Sequence, residues 1–508
     1  MPHPQALTCQ ISHIHHNLHK TRYIPHVAAF AAATMLSGMA HCEVSSMPLP
    51  PSVSERLSSQ GIDYQIIEAA EIAPLHQLCS SEQASPSQIV KLVVLQDSLG
   101  HLQALIPADS LLDLSRLSEL KGRNLVAITP QQHEEMARSQ GLEQLPAFPL
   151  NDSLPLVVEK RLIEADSLYL EMSISGQHLK LTQSEFAKLV SHGSIADFCI
   201  SLNRLTPNDN DRAAVESSVQ RFTKLRIQRR LEETLEMPPL PETAEQIIQL
   251  RIDPEAGVGE LAELVERDPS LAAQVVSWAS SPYYAAPGAI KSVHDAVVRV
   301  LGFDLVINLA LGLALGRTLK LPQDGPHGVT PFWQQSVYCA VTMEGLVKAM
   351  PSERRPSIGL AYLSGLLSNY GYLVLAHIFP PYFNVICRNI EANSHVDPHL
   401  IEQHILSVDR ETLASQLMDC WSMPEEVIQA LRWQNYPDYQ GDYNLYARLL
   451  YASNQLLRSV GLIQGPVHDL DDKVYEELGI SPVDALQVIN RVVAQKDELR
   501  QMARNLEG

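Results

Sequence analysis

Ser292-Val293-His294-Asp295-Ala296-Val297-Val298-Arg299-Val300-Leu301-Gly302 reads as a helix over residues 293–301 that Gly302 terminates. Upstream, Asp268-Pro269 supplies an N-cap and a first-turn proline to a helix over 270–279. Downstream, residues 305–319 are apolar nearly all round and carry Ala310, Gly312, Ala314 and Gly316. A helix with no polar face must be buried, and its small residues allow close packing. Extended outward, residues 237–433 are almost wholly helical. Pro241, Pro254, Pro269 and Pro282 punctuate helix ends.

The chain has 508 residues, too many for one core, and two or three domains are expected. Hydrophobic residues make up 45% and charged residues 19%, an ordinary globular balance that argues against long disorder. The formal net charge of -20 disfavours strong nonspecific nucleic-acid binding, because such a surface repels phosphate backbones. Seven scattered cysteines with no CxxC pair read as reduced thiols, not as structural zinc ligands.

Residues 1–46 differ from the rest. They hold His13, His15, His16 and His19, then Lys20 and Arg22, then a short apolar run over 27–40. That run falls short of the ~20 apolar residues that cross a bilayer. A flexible extension, or an upstream start with Met47 as the functional one, is preferred to a secretory signal. The working division is 1–46 extension, 52–200 mixed α/β domain, 201–235 helical linker, 236–436 helical domain and 437–508 C-terminal helices. The last group either completes the central core or makes a dimer contact.

Within 52–200, short helices are expected over 54–61, 111–120 and 130–140. Strands are expected over 63–69, 124–128, 156–159, 167–173 and 178–181. The β-branched run 89–96, a turn at 97–100 and the return 101–107 form a hairpin. Thr182 caps a helix through Val190, with Glu185 three residues on as in a capping box. The segment 213–235 is a helix with Lys224, Arg226, Arg229 and Arg230, read as the solvated face of a connector.

Met237-Pro238-Pro239-Leu240-Pro241, Asp268-Pro269-Ser270-Leu271 and the stretch 292–302 together resemble the HDOD domain family, similar in fold to HD-type phosphohydrolases. The resemblance covers about residues 235–436. HD enzymes hold one or two metal ions through His and Asp, and the metal lowers the pKa of a bound water. Here Gly365-Leu366-Leu367-Ser368-Asn369-Tyr370-Gly371 puts Ser368 and Asn369 at the His-Asp pair. Gln335, Arg410 and the pair Trp433-Gln434 stand at further ligand positions. Hydroxyl, neutral amide and guanidinium are poor ligands for such ions. His377, His399 and His404 are lone histidines without partners at ligand spacing. The resemblance therefore implies a noncatalytic signalling module that works by packing against a protein partner.

Val90-Lys91-Leu92-Val93-Val94, residues 104–109, Leu112-Asp113-Leu114, Leu179-Lys180-Leu181-Thr182 and Glu185-Phe186 resemble the YbaK-type aminoacyl-tRNA deacylase family over about residues 52–190. The resemblance makes Lys91 the strand lysine that helps hold the substrate ester or the terminal phosphate of tRNA. A cation beside a developing oxyanion suits ester hydrolysis without a metal. The stretch from Gly141 to Pro149 takes the place of the family's pocket loop but lacks its later glycines. Glu159 stands where an aspartate is common. Residues 51–200 hold 10 Lys/Arg against 19 Asp/Glu, a formal charge of -9, unfavourable for gripping tRNA.

The expected fold is an α+β editing-like domain followed by an all-α HD-like domain. The expected function is a noncatalytic cytoplasmic bacterial regulator with a degenerate ligand-binding domain. The alternative is an editing hydrolase carrying a regulatory module. No cofactor, no metal and no membrane partner are expected. The partners would be a protein at the helical domain and tRNA or a small aminoacyl ligand at the N-terminal domain.

Overall fold

The computed structural model describes residues 49–68, 84–149, 154–172, 177–205, 240–320, 322, 325–504 and 506. The N-terminal extension and the basic stretch 213–235 lie outside the described residues.

The first domain runs α1 (Pro51–Ser59), β1 (Gln65–Glu68), β2 (Ile89–Asp97), β3 (Gly100–Pro107), β4 (Ser110–Leu112), α2 (Leu114–Lys121), β5 (Val126–Ala127) and α3 (Pro130–Ser139). It continues with β6 (Leu156–Glu159), α4 (Lys160–Ile163), β7 (Ser167–Glu171), β8 (Gln177–Thr182), α5 (Gln183–Leu189), β9 (Ser194–Ala196) and β10 (Cys199–Ser201). The main sheet is mixed, in the order β1-β8-β7-β2-β3-β6-β9, with β5 on the end of β2. The hairpin forms as expected, with Asp97 opposite Gly100. β3 feeds both faces: Leu105 joins one apolar cluster with Phe186, while Ala104 and Ile106 join another with Phe198. That alternation fixes register, because a one-residue slip would exchange the faces.

Two local expectations are corrected. The helix expected over 111–120 begins with β4, which pairs antiparallel with β10, and turns helical only after the N-cap Asp113. Thr182 does cap α5, but the Glu185 carboxylate accepts from the Asp63 N–H and from Lys188, so the reciprocal half of the box is absent.

The helical domain runs α6 (Glu242–Ile252), α7 (Val258–Glu266), α8 (Pro269–Ala279), α9 (Val293–Ala296, continued as a π-turn over Val297–Leu301), α10 (Phe303–Leu315), α11 (Phe332–Ala349), α12 (Ile358–Leu366) and α13 (Tyr370–Ile378). After them come α14 (Pro380–Ala392), α15 (Pro398–Leu406), α16 (Arg410–Cys420) and α17 (Glu425–Trp433). The last four are α18 (Asn444–Ser459), α19 (Asp472–Leu478), α20 (Pro482–Ala494) and α21 (Lys496–Arg504). Asp268 caps α8 by accepting from the Ser270 and Leu271 N–H groups. Gly302, at φ +83°, reverses the chain into α10. Every residue of α10 from Leu305 to Leu315 is buried, as its all-round apolarity requires. The C-terminal helices belong to this core: Leu449, Ile489 and Leu499 share one apolar cluster with Leu309 and Leu363.

Residues Ile358–Ile378 are long and apolar enough to cross a membrane, but 83% of that window is buried in the helical core. Gly371 sits where α13 crosses the start of α16. A Cβ there would strike the backbone oxygen of Arg410 well inside van der Waals contact. Gly371→Ala should therefore force the two helices apart at a cost of about 1–3 kcal/mol. Thermal unfolding should show a midpoint several degrees lower; an unchanged midpoint would refute the close approach.

Candidate functional site

Ser368 and Asn369 form the bend between α12 and α13, and Arg410 opens α16 opposite them. On one side, neutral groups knit the centre together. Gln434 Nε2 donates to the Ser368 carbonyl at 3.1 Å, and Asn454 Nδ2 donates to Gln434 Oε1 at 3.2 Å. The Cys339 thiol reaches Asn454 Oδ1 at 3.6 Å, and burial pushes that thiol up to about 12.

On the other side stands one fixed cation. Arg410 donates Nε to Glu402 Oε1 at 2.5 Å, meets the same carboxylate through Nη2, and donates Nη1 to Asn369 Oδ1 at 3.3 Å. The Arg410 N–H also donates to Glu402 Oε2 at 2.8 Å. The guanidinium lies 5.4 Å over the Tyr372 ring. The Glu402 side chain is fully buried. Burial pushes its carboxyl up to about 7, with Glu411 adding to the rise and Arg410 opposing it. Arg410 itself is held above its ordinary range by Glu402 against desolvation.

The structure thus brings Ser368, Asn369, Arg410 and Gln434 together. Gln335 donates to the Thr330 carbonyl at 2.5 Å and lines the same cavity as Asn369 and Arg410. Trp433 stands apart: it stacks on Tyr439 at 4.6 Å and donates to Gln429. Among the described residues, no group of three or more His, Cys, Asp or Glu side chains is placed to share a metal ion. His399 lies beside Tyr436, where burial lowers its pKa.

In the first domain the register sets Lys91, Glu171 and His178 side by side across β2, β7 and β8. Lys91 Nζ pairs with Glu171 Oε2 at 2.5 Å. Burial raises the Glu171 carboxyl, but attraction to Lys91 outweighs it and the net shift is downward. Gly141 ends α3 at φ +70°, and the chain from there to the buried Pro149 runs along β7. It is held by the Ala147 N–H to the Glu171 carbonyl at 2.7 Å and by Gln144 to the Met172 carbonyl at 2.9 Å. Glu159 is structural: its Oε2 accepts from the Phe198 and Cys199 N–H groups at 2.8 and 3.0 Å.

The two domains meet at the turn after α14. Asn393, fully buried, accepts from the Leu112 N–H at 2.7 Å and donates to the Leu112 carbonyl at 3.1 Å. One side-chain amide thus imitates a neighbouring strand on the open edge of β4. His395 contacts the Ser110 carbonyl at 2.9 Å. Leu111 packs with Val396 and Ile401, and Ala392 enters the cluster of Ile106 and Phe198. Burial lowers His395 to about 4, with the nearby Lys91 also opposing its protonation.

Residues 237–437 match the HDOD domain model, and residues 69–189 match the aminoacyl-tRNA editing domain model. A solved structure from Marinobacter aquaeolei VT8, described as a signal transduction protein, is 41% identical, covers 91% of this chain and 100% of its own, and superposes with a TM-score of 0.80. The chain carries an HDOD domain and an aminoacyl-tRNA editing domain. A curated relative from Treponema pallidum (strain Nichols) is 23% identical over 44% of this chain; the match spans 42% of that relative's length. A structure described as a trans-editing enzyme for prolyl tRNA synthetase is 22% identical, covers 30% of this chain and all of its own, with a TM-score of 0.27.

In the HDOD domain, Glu402, Asn454 and Cys339 complete the centre, and sequence alone did not single them out. Asn393 and His395 were equally silent, because each is a lone polar residue in a helix connection.

Two outcomes follow from these contacts. Arg410→Met leaves a buried carboxylate without its partner and should destabilise the protein by about 3–5 kcal/mol. The deficit should be largest above pH 7 and shrink as pH falls through about 7, where Glu402 in the intact pair takes up a proton, and the double variant with Glu402→Gln should recover much of it in denaturant unfolding. For His395 the folded pKa lies below the ordinary 6.5, so its contribution is intact above 6.5 and is lost as pH falls toward 4. The seam should weaken by at most about 3 kcal/mol over that window. Limited proteolysis of the seam at pH 7 and pH 5 reads this, and His395→Gln should flatten the difference.

Proposed function

We propose that this HDOD protein is a noncatalytic signalling protein. Its metal-less helical domain is the output surface for a protein partner, and its editing-type domain is a degenerate ligand-binding part. The observation that carries this is the chemistry at the former ligand positions. Ser368, Asn369 and Gln434 are neutral, and Arg410, which reaches Asn369, is a cation already paired with Glu402. A guanidinium paired with a carboxylate has no lone pair to give a metal ion, and hydroxyl and amide groups are poor ligands for one. The action is placed in the bacterial cytoplasm, with no membrane partner and no cofactor. Purified full-length protein should show no phosphodiesterase turnover with added manganese, magnesium or nickel, and no bound transition metal by mass spectrometry. Metal-dependent turnover would overturn the proposal.

An editing hydrolase is the second possibility, and Lys91 on β2 beside the 141–149 loop favours it. Against it, the Lys91 ammonium is paired with Glu171, and the docked HDOD segment with His395 lies beside it. Mischarged tRNAs incubated with the full chain should release no amino acid above background. Turnover that Lys91→Ala abolishes while the protein stays folded would establish the hydrolase instead.

A further inference from the structure

Between the two domains lies a cavity of about 860 Å³, within the range of small-molecule sites. One wall is β2 and the following segment of the editing-type domain, with Leu92, Val94 and Ile128. The other is the former metal face of the HDOD domain, with Asn369, Tyr372 and Arg410. Lys91 is not part of it, so it is distinct from the face that the editing resemblance marks.

Glu391, on the last turn of α14, also lines this cavity. Its side chain is 5% exposed. One carboxylate oxygen accepts from the His327 N–H at 2.7 Å and pairs with Arg388 at 3.0 Å. The other oxygen, Oε2, is buried and has no hydrogen-bond partner. A carboxylate oxygen without a donor is costly; Oε2 is closed to water in the unliganded chain, so the carboxylate must turn toward the cavity for an ammonium group, the strongest donor, to satisfy it. At the Arg410 end the available groups are donors. Asn369 turns its Oδ1 to Arg410, so the donor end of its amide remains, beside the guanidinium edge. These suit an acceptor such as a carboxylate.

The charges also balance. Arg410 is matched by Glu402, Arg388 by Glu391 and Glu134 by Arg138, and burial lowers the pKa of His133. A ligand with net charge would unbalance this lining, whereas a zwitterion would not. Leu92, Val94, Ile128 and Tyr372 offer apolar surface for the rest of the ligand.

We propose that the cavity between the domains binds a zwitterionic amino acid or short peptide, its ammonium on Glu391 and its carboxylate toward Asn369 and Arg410. This rests on the ligand-binding role proposed above and moves that role from the Lys91 face to the seam. A ligand touching both walls biases how the domains dock, which is how occupancy would reach the output surface.

The test is isothermal titration calorimetry of the full chain with the twenty common amino acids and a panel of apolar dipeptides. At least one should bind, and its N-acetyl form and its methyl ester should each lose roughly tenfold or more in affinity. Glu391→Gln keeps the contact with the His327 N–H but removes the charge, and should weaken binding by a similar factor. Ile128→Trp, which fills the cavity from the other domain, should abolish it; both variants are checked for an unchanged melting profile. No binding by any probe would overturn the proposal, as would binding that neither variant alters. Neither result would bear on phosphodiesterase or deacylase turnover, which are read separately.

Discussion

The ion pair of Arg410 with Glu402 is what the centre of the helical domain is built around. An isolated carboxylate could not remain charged in a fully buried position, and an isolated guanidinium could not be stripped of water there. Together they tie the start of α16 to α15 and, through Asn369, to the bend before α13. Gly371 lets α13 approach the backbone at Arg410 closely enough for that bond to form. The arrangement does structurally what a metal ion does in a hydrolase: it gathers helices around one charge. It differs in that an ion pair offers water no open coordination position.

The second constraint is the seam. Asn393 meets both backbone groups of Leu112, and β4 exists as a strand only with β10 on one side and this amide on the other. The apolar contacts of Leu111 and Ala392 surround it. Because the same segment, 389–398, also carries Glu391 and His395, the junction that joins the domains forms part of the cavity wall. A change in what the cavity holds is thereby felt at the joint itself.

Much of this was legible in the sequence where periodicity or chemistry was strong. The hairpin of β2 and β3 followed from β-branched alternation around a turn, and the burial of α10 from its lack of any polar face. The residue types at the ligand positions of the HD-type resemblance stood in the sequence, and the structure brings four of them, Ser368, Asn369, Arg410 and Gln434, together. Short elements were not legible: β4 is three residues in an apolar run that continues into α2, and only pairing with β10 makes it a strand. Trp433 shows the limit of reading by position, because one step along α17 turns its ring to Tyr439 while Gln434 turns inward.

What no local pattern conveys is the partner of a charge. Lys91 looks like a reactive lysine on its strand, yet the parallel register with β7 places Glu171 beside it and Coulomb attraction closes the pair. Glu402 looks like any surface glutamate of an amphipathic helix, yet eight residues later the chain returns an arginine to it. In both cases the charge is neutralised by a residue that becomes its neighbour only in three dimensions. Glu391 is the exception among these carboxylates: Arg388 and the His327 N–H meet one oxygen and leave the other buried without a donor. Glu411 Oε2, on α16, is buried without a donor as well, but Glu391 lines the cavity between the domains, and that position is what sets its orphaned oxygen apart.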